Sequence, residues 1–139
     1  MPTTPDLIRQ ATGLAEMGMH KETLALLRTA IRQDSNNANL WYNLGVTLTT
    51  LGNYRDSVNA FGQAADIDPR FMDAWFNKGM ALAHLDKNIE ALMAFERVLR
   101  IDPHDPRVRV QRDSILEKLS DAPKGTSPNE HHTRQKKLP

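Results

Sequence analysis

At 139 residues, 40% hydrophobic and 25% charged, the chain has the size and composition of one compact water-soluble domain, and no apolar run reaches the roughly 18 residues of a membrane span. The absence of cysteine excludes disulfides, thiolate metal sites and cysteine nucleophiles. The net charge of +1 is unevenly spread: residues 121 to 139 carry four Lys/Arg and two Asp/Glu, which leaves the rest nearly neutral. Met1 to Arg9 has neither a basic head nor an apolar stretch of signal-peptide length, so the expected location is the cytoplasm.

A period of 34 residues organises the elements. Trp41 and Trp75, Gly45 and Gly79, Phe61 and Phe95, Asp68 and Asp102, and Pro69 and Pro103 are each separated by 34 positions, and self-similarity at such a period marks a repeat architecture. An earlier, degenerate unit keeps only Leu7, Ala11, Gly18, Leu27, Ala30, Asp34 and Ser35 in the size or polarity class of their counterparts. The units are 4 to 37, 38 to 71 and 72 to 105, followed by a partial fourth over 106 to 119. Together they make a domain of residues 1 to 120.

In the second unit Leu40, Trp41, Leu44 and Leu51 recur at helical spacing, which predicts a first helix from about Asn39 to Leu51. Gly52 ends it, because glycine accepts the left-handed conformation of a helix C-terminus; Gly18 and Asp86 hold the same place in the other units. Val58, Phe61, Ala64 and Ala65 form the stripe of a second helix, stopped by Asp68-Pro69. The third unit repeats this with Leu92, Phe95, Val98, Leu99 and Asp102-Pro103. Gly45 and Gly79 are expected to let the paired helices approach, opposite Ala64 and Val98. Trp41 and Trp75 share the apolar stripe and read as core residues rather than ligand contacts. In the last segment Val108, Ile115, Leu116 and Leu119 are expected to form one apolar face, while Arg109, Arg112 and Asp113 make the other side polar, as suits a terminal helix. This pattern implies a stack that ends here rather than one cut from a longer array. Residues 121 to 139, mixing Pro, Gly, Ser, Asn, His and Lys without an apolar period, are expected to be a disordered polar and basic tail.

In its two full units the pattern of Trp at the fourth place, Gly at the eighth, Phe at the twenty-fourth and Pro at the thirty-second resembles the tetratricopeptide repeat family. Leu48 and Leu82 stand where that family often has tyrosine, and Thr23 and Ser57 where it often has alanine. The resemblance implies an all-α fold: a right-handed superhelical solenoid of antiparallel helix pairs, three repeats and a capping helix. It also implies a concave wall lined by the first helix of each pair. Carried over by position, that wall comprises Ile8, Arg9 and Thr12; Asn39, Tyr42, Asn43, Val46 and Thr50; Asp73, Phe76, Asn77, Met80 and His84; and Val110, Gln111 and Ser114. Asn43 and Asn77, one period apart, offer both donor and acceptor to the backbone of an extended peptide. Tyr42, Phe76, Val46 and Met80 would supply apolar pockets, methionine being adaptable in shape. The alternative is that the asparagines are ordinary surface residues and the aromatics cover neighbouring helices.

Co-chaperones of this family hold acidic chaperone tails with a clamp whose places here contain Ile8, Thr12, Asn43, Asp73 and Asn77. Only Asn43 agrees. Three cations are missing, and Asp73 would repel an acidic end. No phosphate loop, HExxH pair or nucleophile motif points to an enzyme, and no cofactor or metal is expected. The Asp66, Asp68 and Asp102, Asp105 groups flank prolines and read as helix-end and turn residues rather than metal ligands. Met17, Met19 and His20 flank the Gly18 turn and carry too weak a pattern for copper. RNA is the rival ligand, because Arg97, Arg100, Arg107, Arg109 and Arg112 cluster in sequence; yet Glu96, Asp102, Asp105, Asp113 and Glu117 interleave them. The expected function is therefore that of a monomeric adaptor or assembly scaffold, binding an extended or helical segment of another protein that is neutral or apolar.

Overall fold

Turns of three and four residues alternate between seven helices: α1 (Thr4–Glu16), α2 (His20–Gln33), α3 (Ala38–Thr50), α4 (Tyr54–Ile67), α5 (Met72–His84), α6 (Asn88–Ile101) and α7 (Pro106–Ser120). They belong to a computed structural model that describes residues 1–121. The tail expected over 121 to 139 lies outside the described residues, except for Asp121. Such short turns force successive helices to run back against one another. Extensive contact is confined to helices adjacent in sequence, so the whole is an all-α repeat solenoid, as the period predicts.

Local chemistry sets the boundaries. Gly18 (φ 76°), Gly52 (φ 78°) and Asp86 (φ 58°) are all in the left-handed conformation after α1, α3 and α5. Helix starts are less uniform. Thr3 and Asp6 form a reciprocal capping box on α1, Asn37 and Asn53 cap α3 and α4, and Asp105 caps α7; α2, α5 and α6 have no side-chain cap. Asp68 and Asp102 close the turns after α4 and α6 by accepting the backbone N–H of Arg70 (3.2 Å) and His104 (3.1 Å).

Two apolar clusters form the core. One gathers Leu7, Leu27, Ile31, Leu40, Leu44 and Leu48 from the first three helices; the other gathers Ala65, Trp75, Leu82, Phe95, Val98, Val108 and Ile115 from the last four. Trp41 is half-buried and packs against both clusters, whereas Trp75 is buried within the second. Each indole N–H is satisfied, Trp41 donating to the Ser35 carbonyl and Trp75 to the Pro69 carbonyl, both at 2.9 Å.

Two expectations are corrected. The residues facing Gly45 and Gly79 are Phe61 and Phe95, not Ala64 and Val98: a Cβ on Gly45 would lie 2.6 Å from the Phe61 ring, and one on Gly79 2.5 Å from the Phe95 ring. On α7 only Val108 and Ile115 are buried, while Leu116 and Leu119 are exposed. A narrow stripe suffices there because α7 packs closely on one sequence neighbour, α6.

Candidate functional site

The helical period divides each first helix of a pair into two sides. On α5, steps of about 100° per residue place Phe76, Asn77, Met80 and His84 on one side and Trp75, Lys78 and Leu82 on the other. The first side of α1, α3 and α5 together makes a continuous wall with two hollows. One, of about 340 Å³, lies between α1 and α3 and is lined by Ile8, Ala11, Thr12, Ala15, Glu16, Leu27, Asn43 and Val46. The other, of about 310 Å³, lies between α3 and α5 and is lined by Val46, Thr49, Thr50, Phe61, Phe76, Asn77, Met80 and His84. Val46, 40% exposed, is the partition shared by both.

The expected wall residues thus divide into those at the hollows and those outside them. Ile8, Thr12, Asn43 and Val46 meet at the first hollow; Val46, Thr50, Phe76, Asn77, Met80 and His84 meet at the second. Tyr42 lines neither hollow. Its ring stacks on Phe71 at 4.9 Å and leans on Phe61 at 5.6 Å, and its hydroxyl accepts a hydrogen bond from the Asn77 amide at 3.0 Å. Burial, and then the nearby Asp73 charge, push the Tyr42 phenol above its ordinary pKa and hold it neutral.

The two asparagines are therefore unequal. Asn77 commits an N–H to the protein, whereas the exposed Asn43 side chain makes no hydrogen bond among the described residues. Asn39 is exposed on the first turn of α3, and Arg9 is exposed beside Asp6 at 3.6 Å. On α7, Val110 and Ser114 are exposed and Gln111 is half-buried, all away from the hollows. His84 stacks face to face on Tyr54, with ring centroids 4.4 Å apart and planes 9° apart.

Ala15, Glu16 and Thr49 line the hollows although they were not among the expected wall residues, and Arg107, beside the wall, was missed as well. It stands one period after Asp73, and this offset was the available signal. Its guanidinium bonds Asp73 at 3.0 Å, reaches both oxygens of the buried Asp105 carboxylate, and lies 4.5 Å from the centre of the Phe76 ring. Asp73 is consequently paired rather than presented as a bare repelling charge. The Arg107 hydrogen bond, above all, holds the Asp105 carboxyl below the ordinary range against the opposing effect of burial. Among the described residues no group of three His, Cys, Asp or Glu is placed to hold a metal ion, and no helix is long and apolar enough to cross a membrane.

Two tetratricopeptide repeat family models match the sequence, one over residues 47–106 and the other over 14–76. The chain belongs to the tetratricopeptide repeat family. No curated protein matches it. Among solved structures, the first tetratricopeptide repeat domain of Spaghetti (RPAP3), bound to the HSP90 peptide SRMEEVD, superposes with a TM-score of 0.80 at 19% identity, over 86% of this chain and 94% of that one. The second such domain of human RPAP3, in complex with the HSP70 peptide SGPTIEEVD, gives 0.74 at 23% identity, over 79% and 92%. The Yersinia enterocolitica type III secretion chaperone SycD, in complex with a peptide of the translocator YopD, gives 0.75 at 16%, over 81% and 91%. At these identities the likeness is one of fold.

Proposed function

We propose that this repeat protein is a protein-interaction module that captures a partner segment along the wall formed by α1, α3 and α5. The observation that carries the reading is the pair of apolar hollows on either side of Val46, with the uncommitted Asn43 amide at the mouth of the first. Pockets that take side chains, beside an amide able to bond a backbone, are what recognition of an extended segment requires. Structural neighbours solved with bound peptides lend the reading support at the level of fold. Among the described residues, Glu16 and His84 are the ionisable side chains lining the hollows, so the segment favoured is neutral or apolar. The role is that of a cytoplasmic, monomeric adaptor or scaffold rather than an enzyme.

The acidic HSP90 and HSP70 peptides seen with the RPAP3 domains are a poor match for this wall. The clamp places hold Ile8, Thr12, Asn43, Asp73 and Asn77; of the guanidiniums near them, Arg107 already serves Asp73 and Asp105, and Arg9 lies beside Asp6. Panning a random peptide library against the full chain tests the proposal. Selected peptides should be neutral or apolar and should lose binding to Val46→Arg, which fills the boundary of both hollows, while the variant unfolds normally. Peptides that bind Val46→Arg as tightly as the natural chain would place capture elsewhere.

A further inference from the structure

The side of α5 that faces away from the wall carries a third hollow, of about 350 Å³, between α5 and α6. Its floor includes Trp75. The Arg97 guanidinium lies 4.4 Å from the centre of that indole, and the Lys78 ammonium 5.4 Å from it. Arg100 lines the same hollow one helical turn beyond Arg97. None of these three cations has a carboxylate within 4.0 Å among the described residues, where the ion pairs involve Arg9, Arg107 and Arg112. Apolar surface adjoins them: Met93 is 65% exposed, and Ile89, one turn earlier on α6, is 61% exposed.

The fold does not demand this composition. At the places of Lys78, Arg97 and Arg100 the second unit has Leu44, Gln63 and Asp66, and at the places of Ile89 and Met93 it has Arg55 and Asn59. Over these five places the second unit is neutral, with one Arg and one Asp, whereas the third carries three cations and two apolar side chains on the same helices. Unpaired cations held against an indole gain most from an anion, through charge-assisted hydrogen bonds made beside a low-dielectric surface. Two acids, Glu90 and Glu96, also line the hollow and break the positive charge into a patch rather than a track. A polyanion such as RNA needs a continuous basic track; a single carboxylate flanked by aliphatic side chains fits the patch.

We infer that the α5–α6 face is a second binding site, for an acidic and aliphatic protein segment that sets a carboxylate against Arg97 and Arg100 and a branched side chain against Met93 and Ile89. This site is independent of the α1–α3–α5 wall and could engage a second partner at the same time.

The probe is a short amphipathic peptide of leucine and glutamate, titrated into the full ¹⁵N-labelled chain. Its leucine-lysine counterpart and single-stranded oligothymidylate serve as controls. The leucine-glutamate peptide should shift the Trp75 indole and Arg97 Nε–H signals and leave those of Trp41 and the Asn43 side chain in place. Arg97→Gln with Arg100→Gln should weaken binding at least about tenfold. Met93→Glu, which leaves the cations intact and adds a repelling charge, should weaken it as well. Unmoved Trp75 signals, shifts confined to the wall, equal binding by both variants, or shifts as large with oligothymidylate or the lysine peptide would each overturn the inference.

Discussion

Single atoms decide how closely the paired helices approach. With Phe61 and Phe95 rings where a Cβ on Gly45 or Gly79 would stand, Gly45→Ala or Gly79→Ala must push an aromatic ring aside within a packed core. Each substitution should lower unfolding free energy by about 1–3 kcal/mol in urea titrations. The opposite sign is expected at Asp86, a non-glycine residue at φ 58° in the place that Gly18 and Gly52 fill elsewhere. Asp86→Gly should raise the melting temperature, with the gain limited to about 1 kcal/mol because glycine also frees the unfolded chain. At the wall, Asn43→Ala removes an uncommitted amide and should leave stability unchanged. Asn77→Ala also breaks the bond to Tyr42 and should cost about 0.5–1.5 kcal/mol in the same titrations.

At the level of elements, α7 is the helix whose attachment depends most on charge. Its start is held by Asp105, which accepts the backbone N–H of Arg107 and of Val108 and grips the Arg107 guanidinium, which in turn reaches Asp73 on α5. The folded-state pKa of Asp105 is lowered, so its contribution is fully present above the unfolded value near pH 4 and is lost as pH falls through the lower folded value. Stability of the natural chain should therefore decline as the solution is acidified below about pH 5, and Asp105→Asn should make that decline shallower while reducing stability at neutral pH. Circular dichroism melts across that range measure both effects; an unchanged acid limb in the variant would remove Asp105 from the account.

Because each helix leans mainly on its sequence neighbours, stability across the whole molecule is a sum of local interfaces rather than the property of one central core. Amide exchange should be slowest in α3 to α6, which are packed on both sides, and faster in α7, which buries only Val108 and Ile115. A uniform exchange profile would contradict this. The same architecture exposes two opposite sides of α5 at once, so a ligand on the wall and one behind it need not compete. The peptide SRMEEVD, seen with the first RPAP3 domain, should show no binding at micromolar concentrations, because the cations of a carboxylate clamp are absent from the corresponding places.

Repeat length, helix pairing and the left-handed turns at residues 18, 52 and 86 were legible in the sequence because they depend on local rules: a 34-residue period, a 3.6-residue stripe, and glycine or aspartate after a helix. Position in the repeat likewise brought Ile8, Thr12, Asn43 and Val46 to one hollow. Contacts between side chains far apart in the chain lay beyond such rules. That Phe61 rather than Ala64 meets Gly45, that Asn77 is tied to Tyr42, and that Arg107 pairs with Asp73 depend on helix rotation and on the reach of long side chains across a groove. Periodicity assigns a residue to a face of its helix; only the packed neighbours decide which atom it meets there.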